Sequence, residues 1–171
     1  MISSPCPSTL NVLFVCAGNS ARGLLAEALM TTMSKGRFKG YSAGIHPGGL
    51  VNPFAAELIQ KLGYPLHELR SKRWTEYAGP NSLRLDYVIS ICSDDADLGL
   101  NHSSWPGDPT IGVWNIEDPT AATGSIDDKR TVFKRVYDRL QAHIELFLIL
   151  PHCSFDREVL QQELNSFHEL L

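Results

Sequence analysis

Short continuous apolar runs alternate along this chain with apolar residues at helical spacing. Asn11 to Val15 predicts a buried strand, and from about Arg22 to Met33 the residues Leu24, Leu25, Ala28, Leu29 and Thr32 fall on one face of an amphipathic helix. Gly40 to Ala43 predicts a short strand. A second helix starts with Asn52 as cap and Pro53 at its first position and ends before Gly63, with Phe54, Leu58, Ile59 and Leu62 facing inward. Asp86 to Cys92 is an apolar, β-branched run suited to a central parallel strand, and Thr110 to Trp114 is a shorter one. Ser125 with Asp128 has the form of a capping box, ahead of a long helix marked by Val132, Phe133, Val136, Leu140, Ile144 and Phe147. Beyond Pro151, Phe155, Val159, Leu160, Leu164 and Phe167 keep helical spacing and predict one more amphipathic helix, packed on the domain or on a partner. The general rule that an apolar stripe faces a core favours the domain.

This alternation predicts an α/β class: a four-stranded parallel, doubly wound sheet with helices on both faces. Residues 10–150 form a single catalytic domain in this reading, and residues 151–171 form a C-terminal helical extension. Ligands of such sheets bind outside the carboxyl ends of the strands. Cys16, Cys92 and the segment after Trp114 all fall at that edge.

Composition narrows the class of partner. With Lys+Arg 15 against Asp+Glu 19, the chain has no overall basic footprint for nucleic acid, so a small anion must be attracted locally. The N-terminal stretch has no positive region followed by a long apolar one, and nowhere do about 18 apolar residues run together. The expectation is a cytoplasmic protein without a membrane segment. Cys6, Cys16, Cys92 and Cys153 are too few and too dispersed for a disulfide scaffold and lack paired zinc spacing, which points to catalysis or transient redox chemistry. His46, His67, His102, His143, His152 and His168 show no ligand spacing and receive no role.

The chemistry concentrates between Cys16 and Gly23, a turn from strand to helix. Ala17, Gly18, Asn19, Ser20 and Ala21 can curl their backbone N–H groups inward, and the positive end of the following helix adds to the field, as an anion-binding nest requires. Arg22 adds a planar fork able to grip two oxygens of a tetrahedral anion. The same field is expected to depress the thiol pKa of Cys16 and make it a nucleophile. A buried apolar cysteine ending a strand is the plainer alternative.

With a later Glu117-Asp118-Pro119 in place, the chain resembles the low-molecular-weight protein tyrosine phosphatase superfamily, and within it the arsenate reductases. The likeness runs from about Asn11 to Phe147. It includes Val15-Cys-Ala-Gly-Asn-Ser-Ala-Arg22, Ala26-Glu27, Tyr41-Ser-Ala-Gly44, Ile91-Cys-Ser-Asp-Asp-Ala-Asp97 and Trp114-Asn-Ile-Glu-Asp-Pro119. The resemblance implies a phosphatase-like catalytic domain. In it Cys16 is the nucleophile, Arg22 and the loop Ala17 to Ala21 hold the oxyanion, and Asp118 is the general acid. Arsenate reduction needs such an acid, because hydroxide leaves poorly unless protonated; the other reading of Asp118 is an Asx-type turn before proline. Cys92 is either a buried strand-end thiol or the group that attacks the Cys16–arsenic adduct, releasing arsenite and leaving a Cys16–Cys92 disulfide for an external thiol.

Departures from the family pattern shape the rest. Thioredoxin-coupled reductases carry a third redox cysteine about seven residues after the second, where this chain has Asp97-Leu-Gly-Leu100; Cys153 is left as a substitute. Glutathione with glutaredoxin, or another small thiol, fits the sequence better than thioredoxin as reductant. The residue after the arginine is usually Ser or Thr, whose hydroxyl stabilises the thiolate, and here it is Gly23. One branch binds potassium beside the loop through groups like Asn19, Glu27 and Ser42; Lys72 offers an ammonium in its place, so no metal is expected. A tyrosine phosphatase is the alternative, but Thr120 and Ala121 stand where phosphatases usually place a stacking tyrosine. A non-catalytic oxyanion-binding module is the second alternative.

Overall fold

The computed structural model describes residues 8–92 and 105–171. Ser93 to Asp97 of the motif that starts at Ile91, the Asp97-Leu-Gly-Leu100 stretch, His102 and Cys6 therefore lie outside the described residues.

Four strands form one parallel sheet in the order β2-β1-β3-β4: β1 Leu10–Cys16, β2 Phe38–Gly44, β3 Tyr87–Ser90 and β4 Thr110–Val113. β1 and β3 are central, and the register pairs Val15 with both Ala43 and Ser90, so Cys16 ends β1 level with Gly44 and beside Ile91. Each strand is left through a connection at its carboxyl end, which gathers the loops there. Val12, Leu13, Phe14 and Val15 are all buried, which is why β1 reads as a continuous apolar run.

The helices are α1 Arg22–Met33, α2 Pro53–Leu62, α3 Ile126–Ile149 and α4 Arg157–Leu170. All four contribute to one core with Val12, Phe14, Ile89 and Trp114 on one face of the sheet. The other face carries Leu13, Val15 and Val88 under Trp74, Tyr77 and Trp105, with the 3-10 helix Trp74–Tyr77 as its helical cover among the described residues.

Helix ends follow local chemistry. Asn52 accepts from the Phe54 N–H at 2.9 Å ahead of Pro53, and Gly63 closes α2 in the left-handed region at φ 86°. Ser125 and Asp128 form the capping box of α3. α4 is capped by Asp156, which accepts from Val159 N–H at 3.0 Å. It lays Leu160, Leu164 and Phe167 into the common core, while Phe155 before it is exposed.

α1 departs from expectation. Every residue from Arg22 to Met30 is buried, and Thr32, placed on the inward face by its spacing, is exposed. The helix is enclosed by the sheet, α2 and α3, so only its last turn meets solvent. No helix among the described residues is long and apolar enough to cross a membrane.

Candidate active site

The loop from Cys16 to Ala21 is hung from its neighbours by its carbonyl oxygens. Those of Cys16, Ala17, Gly18 and Ser20 accept from the N–H groups of Ile45 (3.1 Å), His46 (2.9 Å), Gly48 (3.1 Å) and Asn52 (2.8 Å), and Ala21 accepts from Leu25 (2.9 Å). Four carbonyls are thus turned outward onto the segment that follows β2. The backbone N–H groups of Asn19 and Gly23 are directed at the Cys16 sulfur. No side chain caps α1 at Ala21, which leaves the positive end of the helix to the loop. Asn19 adopts φ 46°, a left-handed conformation that Asn tolerates and that anion-binding nests use. Gly44 allows the loop to lie against β2: a β-carbon there would sit 2.9 Å from Asn19 Cβ and 3.0 Å from the Ala17 carbonyl oxygen.

A buried polar network fixes Asn19 from behind. Lys72 N–H donates to Asn19 Oδ1 at 2.8 Å, and the Lys72 ammonium reaches Arg70 O at 3.0 Å and Glu27 Oε2 and Ser42 Oγ at 3.4 Å each. Burial pushes the Lys72 pKa down against the opposing pull of the Glu27 carboxylate. With an ammonium already among these oxygens, the donor set does not fit a separate monovalent cation. Among the described residues no cluster of three or more His, Cys, Asp or Glu side chains could hold a metal ion.

Arg22 and Asp118, far apart in sequence, meet beside the loop. Arg22 Nη1 donates to the carbonyls of Ile116 (2.9 Å) and Ile91 (3.4 Å), and Nη2 donates to Asp118 Oδ2 at 3.1 Å. Asp118 Oδ1 accepts from the Thr120 N–H (3.0 Å) and hydroxyl (2.7 Å) as the cap of a 3-10 turn, Pro119–Ala121. The turn anticipated before proline is present, and it engages one carboxylate oxygen while the other faces the arginine.

The Cys16 thiol does not follow expectation. Burial is the strongest influence and pushes it up, against the lowering effect of the Gly23 and Asn19 N–H groups and of the Arg22 guanidinium. The reason is enclosure: Cys16 ends a fully buried strand, and taking the sulfur out of water outweighs the donors and the guanidinium around it. Cys92 lies just after β3, buried and outside any disulfide like Cys16, and close enough to influence its ionisation. Cys153 is elsewhere. It lines a pocket with Leu10 and Phe38, which begin β1 and β2, and it is disulfide-bonded. Six residue steps of about 3.3 Å put that end of β1 on the order of 20 Å from Cys16. Cys153 therefore cannot stand in for a third redox cysteine near the loop.

The family model for low molecular weight phosphotyrosine protein phosphatase matches residues 11–164. The chain belongs to that family. Among curated relatives, it is 31% identical over 141 residues to an arsenate reductase of Bacillus licheniformis, covering 82% of this chain and 96% of the relative. It is 32% identical over 136 residues to one of Staphylococcus aureus strain Newman, covering 80% and 94%. The structure of an arsenate reductase in the phosphate binding state superposes with TM-score 0.56 at 26% identity, over 80% of this chain and 97% of that one.

Sequence reasoning missed Ser71, whose hydroxyl donates to Gly18 O at 3.3 Å and accepts from Gly49 N–H at 3.2 Å, and the whole role of residues 45–52 as donors to the loop. Those contacts are made largely by backbone N–H groups, which carry no residue-type signal.

Proposed function

We propose that this phosphatase-family protein is an arsenate reductase, with Cys16 as nucleophile, Ala17 to Ala21 and Arg22 as oxyanion cradle, Asp118 as proton donor and Cys92 as second thiol. The observation that carries the reading is the pair of buried cysteines, neither in a disulfide, at the ends of the two central strands. Arsenate is a tetrahedral anion suited to a loop whose carbonyl acceptors are turned away from it and to the N–H donors of a helix N-terminus. The Cys16 thiolate forms a sulfur–arsenic bond and an arsenate oxygen departs as water, taking its proton from Asp118 in the carboxylic acid form, at the position beside Arg22 that the structure gives its carboxyl group. Cys92 thiolate then attacks the Cys16 sulfur. The sulfur–sulfur bond forms, the sulfur–arsenic bond breaks and its electron pair stays with arsenic, which leaves as arsenite; a two-electron reduction is balanced by one disulfide. An external thiol, glutathione with glutaredoxin in preference to thioredoxin, restores both cysteines.

Phosphotyrosine hydrolysis would use the same Cys16, cradle and acid, and the family name favours it as the second reading. Water in place of a second thiol would complete that reaction. Against it, the position where an aromatic ring would stack on the substrate is Thr120, whose hydroxyl closes the Asp118 turn.

Cys92→Ser separates the two readings. Arsenate turnover, assayed with glutathione and glutaredoxin and with thioredoxin, is expected to collapse while slow aryl phosphate hydrolysis persists. Wild type treated with arsenate without reductant should yield a Cys16–Cys92 bridge, two hydrogens lighter by mass spectrometry. Full-rate arsenate reduction by the variant would make Cys92 structural.

A further inference from the structure

Asn19 Nδ2 is a fully buried donor with no hydrogen-bond partner. A donor buried without a partner is costly to a folded protein, so its retention calls for a use. Its orientation is settled by its other end: the Lys72 N–H can only donate, so the oxygen of the Asn19 amide must face Lys72 and the NH2 must face the opposite way. That way lies Gly23. A β-carbon placed on Gly23 would stand 3.0 Å from Asn19 Nδ2 and 3.1 Å from Cys16 Sγ, so the amide and the sulfur address the same small space. Any side chain at position 23 would crowd that space, and glycine keeps it open.

We infer that the Asn19 carboxamide is a donor to the Cys16 thiolate, reaching it across the gap that Gly23 leaves. The inference rests on Cys16 being the nucleophile, and it names what holds the charge when the proton leaves. The neutral thiol asks little of a donor. A thiolate enclosed at this depth asks for several, and the Gly23 and Asn19 N–H groups already serve. The αL backbone of Asn19 and the Lys72 contact fix the amide in advance, so no rearrangement of the loop is needed when charge develops.

The test is the pH dependence of Cys16 alkylation by iodoacetamide, assigned to Cys16 by peptide mass spectrometry. Alkylation reads thiolate formation and is indifferent to whether the substrate is arsenate or an aryl phosphate. Asn19→Gly keeps the positive φ and removes the amide; its alkylation midpoint should move up by about one pH unit, with about tenfold slower reaction below the midpoint. In that background Gly23→Ser, relieved of the 3.0 Å crowding against Nδ2, should bring a hydroxyl to the sulfur and return the midpoint toward wild type. A wild-type measurement guards against misfolded variants: the Asn19 side-chain NH2 resonances in a 15N–1H spectrum should titrate with the alkylation midpoint. An Asn19→Gly profile that overlays wild type, or NH2 resonances that ignore the titration, would overturn the inference. A wild-type Cys16 that is never alkylated would instead remove the nucleophile on which the reaction itself depends.

Discussion

At the residue scale, Asp118 divides its two oxygens between structure and chemistry. Oδ1 is held by Thr120, and Oδ2 faces Arg22. Asp118→Asn can keep an oxygen toward Thr120 and so keep the turn, but it has no acidic proton to give. The rate of arsenate reduction is expected to fall by roughly 10²-fold or more, the ordinary scale of general acid catalysis, with oxyanion binding retained in a competition assay. A variant within a few fold of wild type would assign Asp118 to the turn alone. Cys16 and Arg22 were legible as a unit because they are six residues apart on one strand-loop-helix turn. What Arg22 touches was not, since Ile91, Ile116 and Asp118 come to it from other strand ends. The expected fall in the thiol pKa failed because burial outweighs the N–H groups and the guanidinium that favour thiolate. How deeply a strand end is enclosed depends on the whole fold and is not written in the loop itself.

At the element scale, the ends that were legible are those written in single residues: Asn52, Pro53 and Gly63 mark α2, and Ser125 with Asp128 marks the start of α3. Strand ends were less so. Asp86 to Cys92 shortens to Tyr87–Ser90, because apolarity continues at Ile91 and Cys92 after the ladder with β1 and β4 has ended. α1 shows the limit of spacing arguments: apolar residues fill its interior face and also the faces against α2 and α3, so periodicity cannot single out one side. α4 tests packing directly. Leu164 is fully buried, and its side chain lies against Gly112 of β4, where a β-carbon would come within 3.1 Å of it. Leu164→Ala should lower unfolding free energy by about 2–5 kcal/mol in a urea titration, and raise amide hydrogen exchange in α4 more than in α2. A loss below about 1 kcal/mol would mean that the helix contributes little to the common core.

At the scale of the whole molecule, two histidines given no role by the sequence tie its ends together. His143 of α3 is fully buried between Trp114 and Phe167, with Nδ1 against Arg139 O at 2.8 Å and Nε2 without a partner. His152 bridges Tyr87 OH and Phe147 O, both at 2.7 Å. A carbonyl only accepts, so neutral His143 carries its proton on Nδ1 and neutral His152 on Nε2. Burial lowers the pKa of both, with Arg139 and His168 adding to the effect on His143 and Arg37 to that on His152. Lowered folded-state values mean that the unfolded chain holds more protons wherever pH lies between the folded pKa and the ordinary value of about 6.5. Stability from the neutral rings is therefore complete above about pH 6.5 and is lost as pH falls through that window. Each ring contributes a slope of at most about 1.4 kcal/mol per pH unit. The carboxylates held low by ion pairs or a cap, Glu57, Glu76, Glu117 and Asp128, act below their ordinary values of about 4.5 and 3.8, under the histidine window. Urea midpoints measured from pH 5 to pH 7.5 should rise with pH across the window in wild type, and His143→Leu should reduce that rise. A wild-type midpoint that stays flat or climbs on acidification would show that these rings do not couple protonation to the fold.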